Sequence, residues 1–136
     1  MAKKKNNEYK LRNEAFMQAL RDGEEELLEI SQGVLIKIIK SGEGDRCPRA
    51  GNVVTVNYKG SLINGKIFDN SWERGYPEAF RVGDLIVGWQ IALTQMHVGD
   101  HWMVYIPYDK GYGTRDNGPI PAYSTLIFEM ELVAIM

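Results

Sequence analysis

The sequence predicts an α+β fold in which an antiparallel β-sheet packs around one short helix, with a further amphipathic helix at the N-terminus. Most of the chain after residue 33 consists of short runs in which apolar and polar residues alternate, as in half-buried strands. Asn64-Gly65 lies between two such runs and is a strong signal for a tight hairpin. Within this β region, only the stretch from Trp89 to Met96 has apolar residues at helical spacing. Several strands are therefore available to cover one small helix.

Length and charge limit what the chain can do. With 136 residues, it is predicted to form one main domain over residues 33–136 and a helical extension over residues 1–32. The net charge of -2 argues against nucleic acid as a partner. Cys47 is the only cysteine, which excludes an intrachain disulfide and favours a reducing compartment. No apolar run is long enough for a membrane span or a signal peptide, so we expect a cytoplasmic protein without membrane contact.

The first element is predicted to be an amphipathic helix from Glu8 to Asp22, because its apolar residues recur at steps of three and four. Gly23 ends it. Residues 24–30 are predicted to add more helix before Gly33. The apolar stripe has two interpretations: it packs on the main domain, or it contacts a partner or a second copy. A role of this helix as an assembly element that dominates the function is a further alternative.

The remaining elements follow in order. Strands are predicted over residues 34–40, 53–62, 66–69, 80–82, 101–106 and 125–133. In the second of these, alternation places Val54, Val56 and Tyr58 on the buried face. Residues 85–89 are predicted to be a strand end that delivers the indole of Trp89 to the short helix. Residues 70–78 and 107–123 are predicted loops, and the second is long enough to indicate a functional role.

Five aromatic residues come from different segments of this plan. They are Tyr58, Phe68, Trp89, Tyr112 and Phe128. Each alone is more often a core residue than a site residue. Together they predict an apolar concavity in which Trp89 forms the floor.

Several segments carry a resemblance to one family, in order and at matching spacings. They are residues 56–60 (VNYKG), 64–71 (NGKIFDNS), 87–89 (VGW), 95–99 (QMHVG), 111–113 (GYG), 120–121 (IP) and 125–128 (TLIF). From about residue 33 to residue 132 the chain resembles the FKBP-type peptidyl-prolyl cis-trans isomerases. The resemblance implies a strongly curved antiparallel sheet wrapped around one short helix. It also implies a proline-binding pocket between the helix start and the sheet.

The resemblance assigns roles to individual positions. Trp89 corresponds to the indole under the prolyl ring, and Tyr58, Phe68 and Phe128 correspond to the apolar walls. Two further groups correspond to hydrogen-bond donors to ligand carbonyls: the backbone N–H of Ile86, which follows Leu85 in an apolar pair, and the hydroxyl of Tyr112. Asp69 corresponds to the polar group at the pocket mouth, and Arg74 corresponds to its cationic partner. Ile120 corresponds to the apolar tip of the overhanging loop.

Three departures from the family pattern bear on the ligand range. Glu78 stands where the family carries an aromatic wall, and Trp72 and Tyr76 are the candidate replacements. The segment before Leu85 and the loop over residues 114–119 are short. The resemblance implies proline-containing peptides and unfolded or folding proteins as partners, and it extends the ligand class to FK506- and rapamycin-type macrolides.

The predicted function is therefore rotation of X-Pro peptide bonds in a dry aromatic pocket, without a cofactor. The alternative is a binding module that holds a proline segment without turnover. No metal site is predicted, because Gly99 interrupts the helical spacing between His97 and His101.

Overall fold

The computed structural model describes the backbone of residues 2–136 and the side chains of residues 5–136. It contains three α-helices and seven strands. In chain order they are α1 (Ala2–Asp22), β1 (Leu28–Ser31), β2 (Val34–Lys40), β3 (Val53–Ser61), β4 (Ile67–Asn70), α2 (Ser71–Arg74), β5 (Glu78–Arg81), α3 (Val87–Leu93), β6 (His101–Ile106) and β7 (Leu126–Ile135).

All seven strands belong to one antiparallel sheet. Its order is β1-β2-β6-β7-β3-β4, and β5 also pairs with β3. The long strand β3 thus has β7 along one side, and β5 and β4 share its other side. Alternation along β3 buries Val54, Val56 and Tyr58, as predicted. The Asn64-Gly65 turn joins β3 to β4, which confirms the predicted hairpin.

The short helix α3 lies in the hydrophobic core formed by the inward face of the sheet. Trp89, Ala92 and Leu93 on this helix are buried in one cluster with the inward side chains of β2, β3, β6 and β7. The predicted α+β fold, a sheet around a short helix with an N-terminal helix, is confirmed. Gly88 makes the close approach possible, because a Cβ at this position would lie 2.5 Å from Cγ2 of Ile106.

The N-terminal helix α1 packs against the segment that leads into β7. Asn13 is fully buried, and its Oδ1 accepts a hydrogen bond of 2.7 Å from the Thr125 N–H. Tyr9 Oη and Ser124 Oγ lie 2.8 Å apart, and Met17 is buried in the same interface. The interpretation that α1 packs on the main domain is therefore confirmed. Leu11 is 63% exposed on the helix.

Two predictions for the segment before β2 need correction. The helix predicted over residues 24–30 is wrong, because Leu28–Ser31 form β1 and pair with β2. A two-residue turn joins these strands, with φ of 50° at Gln32 and 85° at Gly33. This pairing crosses the predicted domain boundary at residues 32 and 33. The N-terminal helix also begins earlier than predicted, at Ala2.

Two further corrections concern the region around the indole. Trp89 does not lie at a strand end; it is inside α3, whose N-cap is Ile86. The predicted loop over residues 70–78 contains α2. Asn70 caps this short helix, because its Oδ1 accepts hydrogen bonds from the backbone N–H groups of Trp72 and Glu73. Among residues 2–136, no helix is both long enough and apolar enough to cross a membrane.

Candidate functional site

A cavity of about 300 Å³ opens between the start of α3 and the sheet. This volume is at the lower end of the range for small-ligand pockets. The lining side chains come from β3, β4, β5, β7, α3, the segment before α3 and the loop after β6. They are Tyr58, Phe68, Asp69, Phe80, Asp84, Leu85, Ile86, Trp89, Tyr112 and Phe128.

The floor of the cavity is an indole surrounded by the edges of other rings. Trp89 lies 5.0 Å from Tyr58, 5.1 Å from Phe128 and 5.5 Å from Phe80 between ring centroids, with interplanar angles of 82° to 86°. Such edge-to-face contacts hold the rings in a fixed arrangement. Trp89 is only 4% exposed, yet it lines the cavity, so the indole is part of a site open to solvent.

One glycine, Gly60, makes room for two of the cavity walls. Phe68 and Phe128 meet edge to face at 5.6 Å between centroids. A Cβ on Gly60 would lie 2.6 Å from Cζ of Phe68 and 2.7 Å from Cε1 of Phe128. Any larger residue at position 60 would displace both rings from the cavity wall.

The polar side of the cavity is a hydrogen-bonded network. The Tyr58 hydroxyl donates to Oδ2 of Asp69, and Arg74 forms an ion pair with the other carboxylate oxygen of Asp69. Arg74 also donates to the Tyr58 oxygen at 3.2 Å and to Oε1 of Glu78 at 3.1 Å. One guanidinium thus braces the two acidic side chains and the phenol.

The network sets the protonation states of its members. Burial, with the hydrogen bond to Asp69, raises the pKa of Tyr58 to about 12, so the phenol stays neutral and remains a donor. For Asp69, burial favours the neutral form. The hydrogen bonds from Tyr58 and Arg74 outweigh it and hold the pKa of Asp69 below its ordinary value. At neutral pH, a charged carboxylate therefore faces the cavity.

Besides the buried indole N–H of Trp89, two donors at the cavity have no partner within the described chain. The hydroxyl of Tyr112 makes no hydrogen bond to residues 5–136, and burial raises the pKa of this phenol, which keeps it protonated. The backbone N–H of Ile86 at the start of α3 has no acceptor among residues 2–136 either. The side chain of Gln90 donates to the Leu85 carbonyl at 2.7 Å and so fixes the backbone beside Ile86.

Most of the predicted site residues meet in this cavity. The structure brings together Tyr58, Phe68, Asp69, Leu85, Ile86, Trp89, Tyr112 and Phe128. Arg74 does not line the cavity, but its expected ion pair with Asp69 is present. Ile120 is 5% exposed within the hydrophobic core and is not a lining residue.

Sequence reasoning missed Phe80 and Asp84. Phe80 supplies the wall that was expected from Trp72 or Tyr76. Trp72 instead stacks on His101, at 5.7 Å between centroids. The ring of Tyr76 is exposed. The available signal was the alternation in β5, which places the ring of Phe80 on the same face as Glu78.

The two histidines considered for a metal have different partners. His97 lies 3.5 Å from Sγ of Cys47, and His101 lies 2.7 Å from Oε2 of Glu129. Within residues 5–136, no group of three or more potential ligands could hold a metal ion.

The fold is an antiparallel sheet around one short helix, and an aromatic cavity opens where that helix starts. This combination defines the class of protein to which the chain is compared. The sequence profile of the FKBP-type peptidyl-prolyl cis-trans isomerases matches residues 44–133. The macrophage infectivity potentiator of Trypanosoma cruzi is 38% identical over 130 residues, covering 95% of this chain and 66% of that protein. The crystal structure of FkpA from Escherichia coli superposes with a TM-score of 0.87 at 35% identity, covering 98% of this chain and 64% of that one.

A third comparison covers nearly the whole of both chains. A peptidyl-prolyl cis-trans isomerase structure from Pseudomonas syringae pv. tomato has a TM-score of 0.83 at 36% identity, over 94% of each chain. The chain belongs to the family of FKBP-type peptidyl-prolyl cis-trans isomerases. It spans 66% of the Trypanosoma cruzi protein and between 38% and 56% of other curated relatives that it matches.

Proposed function

We propose that this chain is a peptidyl-prolyl cis-trans isomerase that accelerates rotation about X-Pro bonds in peptides and in unfolded or folding proteins. The observation that carries the proposal is the cavity floor: the indole of Trp89, ringed by Tyr58, Phe80 and Phe128, is open to a small apolar ligand. A flat apolar floor with close aromatic walls suits a pyrrolidine ring. Family membership supports the same activity.

The mechanism requires no nucleophile. Rotation about the X-Pro bond gives up amide resonance, with a barrier of about 18 to 20 kcal/mol. The planar amide is charge-separated and well hydrated at its oxygen, whereas the twisted transition state is less polar there. Walls such as Tyr58, Phe68 and Phe128 exclude water from the bond, which disfavours the plane relative to the twist. Each tenfold gain in rate needs only about 1.4 kcal/mol.

Orientation is the second contribution. In this proposal, the Ile86 N–H and the Tyr112 hydroxyl donate to carbonyls that flank the proline and hold the peptide while one end turns. Leu85 and Ile86 form the adjoining apolar wall. Asp69 remains charged at the mouth, and Arg74 positions it without touching the cavity. Ile120 is not part of this arrangement, because it is buried outside the cavity.

The test is an isomerisation assay on a short X-Pro peptide. Wild type is compared with Trp89→Ala, which removes the floor, and with Trp72→Ala as a matched control outside the cavity. We expect kcat/KM to fall at least tenfold for Trp89→Ala and to stay near wild type for Trp72→Ala. Wild-type rates equal to buffer would contradict the proposal. Peptide binding without acceleration would favour the binding module.

Other properties of the protein are less closely tied to the cavity. The cytoplasmic location stays a prediction from the single cysteine and the apolar pattern, and cell fractionation with an antibody to the chain tests it.

FK506- and rapamycin-type macrolides stay predicted ligands. The cavity that would receive them has Phe80 rather than Trp72 or Tyr76 as its remaining aromatic wall.

A further inference from the structure

Two aspartates line the cavity, and their surroundings differ. Asp69 accepts hydrogen bonds from Tyr58 and Arg74, so it already has a cationic partner. Asp84 makes no hydrogen bond or ion pair within residues 5–136 and is exposed at the cavity wall. No lysine or arginine lines the cavity. The negative charge of Asp84 is therefore left for a ligand.

The nearest cations in the sequence are directed elsewhere. Arg74 is shared between Asp69 and Glu78, so this cluster already carries more negative than positive charge. Arg81 is three residues before Asp84, but the alternation of β5 places it on the face opposite to Phe80 and the cavity. Neither arginine compensates Asp84.

The backbone at Asp84 is firmly anchored. Asp84 ends a short 3₁₀ turn that begins at the fully buried Val82. The Gly83 N–H donates to the Ala50 carbonyl at 2.8 Å, and the Leu85 N–H donates to the Val82 carbonyl at 3.1 Å. The carboxylate is thus attached to a rigid part of the cavity wall, two residues before the free N–H of Ile86.

We propose that Asp84 makes this cavity select substrates that carry a lysine or arginine directly before or after the proline. The inference rests on the proposed isomerase function and specifies its substrate class. A peptide whose proline covers Trp89 and whose carbonyl reaches the Ile86 N–H carries its flanking side chains past Asp84. A cation there gains an ion pair, and a carboxylate there meets an uncompensated like charge.

The effect is expected to be moderate, because Asp84 is exposed to solvent. We expect a preference of about two- to fivefold in kcat/KM for a Lys peptide over its Glu counterpart, as for other exposed charge pairs. Added salt is expected to reduce this ratio, since ions screen exposed charges.

The experiment uses two peptide sets, one varying only the residue before proline and the other only the residue after it, each with Lys, Gln or Glu. The proteins are wild type, Asp84→Asn and the control Asp45→Asn, which makes the same charge change at an exposed aspartate that does not line the cavity. We expect the Lys-to-Glu ratio to exceed one in at least one set for wild type and Asp45→Asn, and to approach one for Asp84→Asn. Thermal unfolding checks that all three proteins are folded.

Failure of this inference differs from failure of the proposed function. Acceleration of the Gln peptides with equal rates for Lys and Glu overturns the role of Asp84 and leaves the isomerase intact. A ratio that persists in Asp84→Asn overturns it as well. If wild type accelerates no peptide, the Kd values of the same peptides decide: tighter binding of Lys than Glu peptides that depends on Asp84 supports the selectivity, and equal Kd values overturn it.

Discussion

Asp69 and Tyr58 share a wall of the cavity, and their contacts fix a charge and a proton there at neutral pH. Tyr58 keeps its proton because burial and Asp69 raise its pKa to about 12. Asp69 keeps its charge because its donors overcome the effect of burial on its pKa. The cavity thus presents one neutral phenol and one braced carboxylate.

The lowered pKa of Asp69 predicts a pH-dependent contribution to stability. The fold favours the charged form, so the contribution is complete above the ordinary carboxyl pKa and is lost as pH falls through the lowered value. We expect Asp69→Asn to reduce the free energy of unfolding by a constant amount above about pH 5, and the difference to shrink towards pH 2. Urea unfolding of both proteins across this range measures it. A difference that grows with acidity would contradict the prediction.

The substitution Tyr112→Phe removes one oxygen atom and is expected to affect substrate binding without affecting folding. The hydroxyl has no partner within residues 5–136, so its removal is expected to leave the melting temperature unchanged. Loss of one substrate hydrogen bond is expected to lower kcat/KM by up to about tenfold. The isomerisation assay and thermal unfolding measure the two effects. Unchanged kcat/KM would remove Tyr112 from the proposed mechanism.

At the scale of secondary-structure elements, two close contacts depend on glycines, because a larger side chain would not fit there. Helix α3 approaches β6 at Gly88, and the ring walls meet over Gly60. Elsewhere, a buried polar group connects elements, as Asn13 connects α1 to Thr125. Such contacts locate the places where a small substitution has a large effect.

Gly88→Ala is expected to destabilise the protein by about 1 to 3 kcal/mol, because the new methyl group overlaps the Ile106 side chain. The double variant with Ile106→Val is expected to recover part of the loss in urea unfolding, since it removes one of the crowded atoms. Gly51→Ala is the control, because a Cβ there meets nothing within 4 Å. Equal effects of the two alanines would show that crowding is not the cause.

Asn13→Ala is expected to cost about 1 to 3 kcal/mol in the free energy of unfolding, because it leaves the buried Thr125 N–H without an acceptor. Leu11→Ala on the exposed part of α1 serves as the control and is expected to change stability little. Urea unfolding compares the two. A loss for Leu11→Ala as large as that for Asn13→Ala would contradict the assigned contact.

Elements defined by local pattern were predictable, and those defined by distant partners were not. The alternation at Val54, Val56 and Tyr58 is a local property of the chain, and so is the Asn64-Gly65 turn. Strand β1 follows a run of glutamates and leucines that suits a helix, and only its pairing with β2 makes it a strand. Tertiary contacts here override local propensity.

The same distinction holds for the candidate site. The family resemblance identified the rings that come from matching motifs, including Trp89 and Phe128. It did not identify Phe80, because its place in the wall depends on the register of β5, which sets Phe80 opposite Val54 on β3. Nor could spacing show that the side chain of Trp72 would leave the cavity to stack on His101.

At the scale of the whole molecule, the division at residues 32 and 33 remains our prediction, and the pairing of β1 with β2 argues for an earlier one. Deleting residues 1–23 removes α1 but keeps the sheet, and is expected to cost about 3 kcal/mol through the lost burial of Met17 and the lost bonds of Asn13. Deleting residues 1–32 also removes β1 and is expected to cost more. Urea midpoints of the two shortened chains decide, and equal midpoints would support the boundary at residue 32.

The bond between Thr125 and Asn13 also makes one backbone hydrogen a sensor for the attachment of α1. The Thr125 N–H is bonded within a buried interface, so we expect deuterium to replace its hydrogen only when the helix lifts away or the entire chain opens. We expect amides in the centre of β3 to exchange only when the entire chain opens. The difference between these two rates reads out how often the N-terminal helix detaches by itself.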